Sequence, residues 1–147
     1  MTGQIKQTAT TEQLLYANIL EKGMFFGLVL MFLTFTIYIF EVIEPAIPVD
    51  HIASYWKHDV HSYLVTINTN YLFLDSLPTG WAWLNLIGKS DFLNFIPVAI
   101  LSGVTIICYL AIVPGLFERG DKAYAIMAIA EVVILALAAS GLLAVGH

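Results

Sequence analysis

Three long apolar runs, separated by short charged or aromatic-rich stretches, organise the chain. The first is 18 consecutive uncharged residues from Gly23 to Phe40, bracketed by Glu21 and Lys22 on one side and by Glu41 and Glu44 on the other. The second covers 26 uncharged residues from Phe92 to Phe117, and the third 24 residues from Ala123 to Gly146 with Glu131 as its only charge. Runs of this length match the roughly 20 residues that an α-helix needs to cross a hydrocarbon layer about 30 Å thick. The pattern predicts an all-α integral membrane protein with three transmembrane helices over about 23–43, 93–117 and 123–145, forming a single membrane domain 1–147.

Local signals refine the ends of these elements. Thr10 followed by Gln13 fits a capping box, and Leu14, Leu15, Asn18, Ile19 and Lys22 carry a helical spacing onward, so residues 11–22 read as a helical stem entering the first span. Pro45 and Pro48 are expected to end that helix beyond Ile43. Pro97 stands where a helix tolerates proline, whereas Pro114 should kink or close the last turn of the second span. Glu118-Arg119-Gly120-Asp121-Lys122 joins the second and third spans as a tight helical hairpin. A polar segment before a long aromatic core does not fit a cleaved signal peptide, so the amino terminus is expected to remain.

The intervening 45–91 segment reads as an amphipathic helical outer segment. Asp50 can cap a helix in which Ile52, Tyr55, Trp56, Val60, Tyr63 and Leu64 recur at three- and four-residue spacing. All three tryptophans, Trp56, Trp81 and Trp83, fall in this segment, as expected of interfacial anchors at a bilayer boundary. Lys6, Lys22, Arg119 and Lys122 lie on the side shared by the amino terminus and the 118–122 loop, against Lys57 and Lys89 opposite. The bias predicts a cytoplasmic amino terminus, with the carboxyl terminus and the 45–91 segment outside a bacterial cytoplasmic (inner) membrane.

Composition agrees and narrows the function classes. Only 12% of the 147 residues are charged and 59% are apolar, with a mean hydropathy of +0.83, a balance that suits lipid as the main solvent. Six Lys plus Arg against 11 Asp plus Glu leave no basic block for a phosphate backbone, so nucleic acid is not an expected partner. Cys108 is the single cysteine, which excludes an internal disulfide or a four-cysteine metal site. No nucleophile elbow, zinc-protease motif or phosphate-binding glycine loop occurs, and the chain is not expected to be an enzyme by itself or to carry a cofactor beyond lipid or quinone contact.

Two constellations carry the remaining chemistry. An acid within a span costs about 2 to 3 kcal/mol to insert, so Glu131 needs a partner or a purpose. Equal spacing from the hairpin loop puts Tyr109 at its depth, and Ser102, Thr105 and Tyr109 form a polar stripe that can face it. Three readings stand: a hydrogen-bonded glue between helices, a proton or cation path, or contact with lipid or quinone. The second constellation is His51, His58 and His61 on the polar side of the outer helix, with His58 and His61 one turn apart. They read as a solvated face, a metal site on His58 and His61, or a pH-sensitive contact. Gly23 and Gly27 form a G-x-x-x-G, and Ala125, Ala128, Ala136, Ala139, Ser140 and Gly141 crowd the third helix, suiting close packing with partners or within the chain.

The stretch from Ile96 to Leu143, with its Pro-containing span, the Phe117-Glu118-Arg119 turn, Tyr124 and a branched apolar span, resembles the carboxyl-terminal half of a family of uncharacterised small three-span bacterial membrane proteins. The resemblance implies topology rather than activity. The leading functional expectation is an accessory or scaffold subunit of a larger membrane complex, such as a respiratory or electron-transfer one, which associates with other membrane subunits or with itself. The alternative is a proton or small-solute transport component that uses Glu131.

Overall fold

The computed structural model describes residues 8–141. Lys6 and His147 lie outside the described residues, as does the 142–145 part of the third expected span. Helices occur in the order α1 (Thr11–Ile39), α2 (Val49–Tyr55), α3 (Val60–Ile67), α4 (Ser90–Leu93), α5 (Phe95–Glu118) and α6 (Lys122–Ala139). A π-turn over Asn68–Leu72 and a 3-10 turn over Gly80–Leu86 interrupt the stretch between α3 and α4. Among the described residues three helical stretches are long and apolar enough to cross a membrane: Thr11–Ile39, Ser90–Glu118 and Lys122–Ala139.

The capping box that opens α1 is present. The Thr10 N–H donates to Gln13 Oε1 at 3.0 Å and the Gln13 N–H donates to Thr10 Oγ1 at 3.3 Å. The end of α1 is a correction to the expected boundary at 43. The helix stops at Ile39, six residues before Pro45. Glu41 turns left-handed at φ 50°, and the N–H groups of Glu41 and Val42 donate back to the carbonyls of Tyr38 and Ile37 at 3.2 and 3.1 Å. That pair of bonds is the Schellman closure, here with glutamate where glycine is usual. Gly120 at φ 79° closes α5 the same way, with its own N–H on Phe117 and that of Asp121 on Leu116, both at 3.0 Å. Pro114 does not close α5, which continues to Glu118.

α1 and α5 lie antiparallel along their full length. Tyr16, Leu20, Gly23, Gly27, Met31, Thr34 and Tyr38 form the less exposed stripe of α1 at three- and four-residue steps. A Cβ on Gly23 would lie 2.6 Å from Val104 Cγ2, and one on Gly27 would lie 2.6 Å from Leu101 Cγ. The glycine pair is therefore used inside the chain, letting the two backbones approach. Toward the hairpin loop, the Cys108 thiol donates to the Tyr16 carbonyl at 3.8 Å, and Glu12 reaches Gly115 and forms an ion pair with Arg119.

α6 packs on α5 through Ala125 and Ala128, both buried, at one three-residue step. α5 is thus the middle helix, flanked by α1 and α6, which make little contact with each other among the described residues. The Glu12–Arg119 pair defines one end of the molecule, called here the loop end. The opposite end is covered by residues 40–89, the cap, around buried Ile47, Ile67 and Phe92.

The single amphipathic outer helix expected from the sequence is two short ones. α2 ends at Tyr55 and α3 starts afresh at Val60, because the Asp59 carboxylate accepts the Ser62 N–H at 3.1 Å and nucleates a new helix. Asp50 sits in the first turn of α2, with Pro48 in the cap position, so Asp59 and not Asp50 is the capping aspartate. The break takes Trp56 and Val60 out of the expected apolar stripe; they are 78% and 70% exposed.

Candidate functional site

Glu131 stands on the middle of α6, and Tyr109, Thr105 and Ser102 on α5, as the spacing requires. The structure does not bring them together as one hydrogen-bonded cluster. The stripe of α6 that meets α5 runs through Ala125, Ala128, Val132 and Leu135, and at about 100° per residue Glu131 is rotated roughly 80° away from its centre. Its side chain is exposed and makes no hydrogen bond or ion pair with any described residue. Tyr109 instead leans on α1, its ring meeting that of Tyr16 edge-on with centroids 5.7 Å apart. Ser102 is exposed and donates to its own helix, to the Ala99 carbonyl at 2.9 Å. Thr105 is half-buried on α5. Equal distance from the loop fixed the depth of Glu131 but not its azimuth.

The histidines are dispersed by the break in the outer helix. His51 is on α2, His58 in the turn after it and His61 in the first turn of α3, so the single-helix geometry that put His58 and His61 on one face does not apply. Among the described residues no group of three or more His, Cys, Asp or Glu side chains is placed to hold a metal ion. His51 has a specific partner: its Nδ1 lies 3.0 Å from the Tyr71 hydroxyl, which lies 3.0 Å from the Tyr55 hydroxyl. The bond to Tyr55 pushes the Tyr71 phenol above its ordinary pKa, with burial a smaller contribution.

Two of the three tryptophans brace the cap against the long helices. Trp81 Nε1 donates to the Ala139 carbonyl at 2.7 Å, satisfying one of the orphan carbonyls at the end of α6. Trp81 stacks on Trp83 at 5.9 Å, Trp83 on Phe95 at 5.7 Å, and Phe95 on Phe92 at 5.9 Å. An aromatic ladder thus ties the 3-10 turn to the starts of α4 and α5. Trp56 has no such role and points outward.

A residue the sequence reading missed holds the cap in place. The Asp91 carboxylate accepts the Ala46 N–H on both oxygens at 3.1 Å and the Ile47 N–H at 3.2 Å, pinning the Pro45–Pro48 turn to the start of α4. Lys89 beside it pairs with Glu44 at 3.3 Å. The only forewarning in the sequence is an aspartate one step from the apolar run at Phe92.

Compared with known proteins, the chain is 45% identical over 136 residues to an uncharacterized protein of Archaeoglobus fulgidus, the match covering 92% of this chain and 91% of that one. The two belong to one family. Since the match leaves so little of either chain uncovered, none of the three long helices of this family member can fall wholly outside it. No family model matches the chain, and no solved structure does.

Proposed function

We propose that this family member is a multi-pass protein of the cytoplasmic membrane that acts as a small accessory or scaffold subunit, packing α6 against another membrane subunit or a second copy. The observation that carries the reading is Glu131: an ionisable group at the middle of a membrane-length helix, exposed and without a hydrogen-bond or ion-pair partner among the described residues. In hydrocarbon such a group costs about 2 to 3 kcal/mol, and association with a hydrogen-bond donor on a neighbouring helix offsets it. Arg119 and Lys122 at the loop end favour that end as cytoplasmic, with the cap outside. The proposed role is not that of an enzyme on its own.

The test is purification from the native membrane in mild detergent, comparing the wild type with Glu131→Leu. The proposal expects the wild-type chain in a defined assembly and the variant, equally abundant and folded, released from it. A wild type that runs as a lone monomer with no companions would sink the idea. A proton or solute path through Glu131 is the lesser reading, because Ser102 and Tyr109 turn to other partners and leave Glu131 without a continuous polar lining. Flux in liposomes that disappears in Glu131→Gln would favour it.

A further inference from the structure

Three segments distant in sequence meet in the cap around a cavity of about 390 Å³. The 41–48 turn forms one wall, the 70–73 turn a second and Lys89 a third. This volume lies in the range of small-ligand pockets, roughly 300 to 1,000 Å³. Each wall is held by a named bond. Asp91 grips the backbone at Ala46, His51 and Tyr55 orient the Tyr71 hydroxyl, and Lys89 is tied to Glu44. The two non-glycine residues with left-handed backbones among the described residues, Glu41 at φ 50° and Phe73 at φ 52°, both line the cavity. Such conformations persist where the surroundings over-determine them, often at binding sites.

The charges then select the ligand. Lys89 and Glu44 neutralise each other at 3.3 Å, whereas the Glu41 carboxylate has no hydrogen bond or ion pair among the described residues. The lining therefore carries one uncompensated negative charge. Asn70, Tyr71 and Phe73 line the cavity together with Glu41. A lining that combines an unpaired carboxylate, two aromatic residues and a side-chain amide suits a compact cation rich in N–H donors. We propose that this cavity binds a primary ammonium group, paired with Glu41 and set against the Tyr71 and Phe73 rings. The group can arrive on a soluble amine or on an amine-bearing lipid headgroup. The exposed side chains of Phe40 and Val42, which flank Glu41, give an acyl chain somewhere to lie. The site is separate from the Glu131 face and does not depend on how that face is used.

The test uses the full chain in phosphatidylglycerol nanodiscs, titrated with ethanolamine by calorimetry. In parallel, native mass spectrometry follows the chain released from discs of phosphatidylethanolamine and phosphatidylglycerol in equal amounts. One ethanolamine, or one retained phosphatidylethanolamine, per wild-type chain is expected, with binding weakened at least about tenfold in Glu41→Gln. Glu41→Gly, which suits the left-handed backbone and so keeps the turn, should lose binding equally. Lys89→Met, which removes the competing cation and frees Glu44, should bind more tightly. Saturation by free ethanolamine assigns a soluble amine, and selective lipid retention alone assigns a headgroup. No binding in either arm, or Glu41 variants that bind as the wild type does while sharing its helix content, would overturn the proposal.

Discussion

Single side chains with remote partners set the cap, and their loss should be visible locally. Asp91→Ala leaves the Ala46 and Ile47 N–H groups without acceptors. A buried donor left unsatisfied costs about 1 to 3 kcal/mol. Amide exchange at Ala46 and Ile47 should accelerate while exchange in the middle of α5 is unchanged. Gly27→Leu should force apart the α1–α5 contact at Leu101, costing about 1 to 3 kcal/mol from overpacking and lowering the thermal midpoint in detergent. Asp59 supplies a pH dependence. Its carboxyl is held below the ordinary aspartate pKa by its hydrogen bonds to Ser62, so its contribution is complete above the unfolded-state pKa and is lost as pH falls through the lower folded-state value. Exchange of the Ser62 amide should therefore rise in acid, and Asp59→Asn should flatten that rise. The Thr10–Gln13 box was legible in sequence because both partners are three residues apart. The bonds of Asp91 were not, because its acceptors' partners are backbone groups 44 and 45 residues away, which no side-chain pattern encodes.

At the level of elements, hydrophobic runs gave the three long helices and their order, since length and apolarity are local properties. They gave the ends less well. α1 stops at Ile39 within a run that stays apolar to Phe40, since a Schellman turn at Glu41 satisfies the terminal carbonyls before either proline is reached. In the outer segment the three- and four-residue spacing ran on past Tyr55, but Asp59 competes locally as a new cap and splits the helix. Trp81 joins the cap to the end of α6. Trp81→Phe keeps the ring for Trp83 but removes the donor to Ala139. The last turn of α6 should fray, with faster exchange over residues 136–140 and a loss of about 1 kcal/mol. An unchanged exchange pattern would show that the cap does not hold that end.

For the whole molecule, the arrangement around α5 decides what the sequence could not, namely which faces are spent internally. The G-x-x-x-G is consumed by Val104 and Leu101, whereas the Glu131 side of α6 is left open. Depth along a helix follows from counting residues, but azimuth depends on where the neighbour sits, so the expected Glu131–Tyr109 pairing did not form. On the membrane reading, orientation is testable with a membrane-impermeant thiol reagent on intact cells. Ser76→Cys in the cap should be labelled and Lys122→Cys at the loop end should not; both positions are exposed in the fold. The long-range pairing of α1 with α5 also bears on biosynthesis. Tyr16 and Cys108 are 92 residues apart, and at a synthesis rate of 5 to 20 residues per second α1 waits roughly 5 to 20 s for its partner helix. During that interval the glycine groove lacks Leu101 and Val104, and on the membrane reading lipid or another helix would have to cover it.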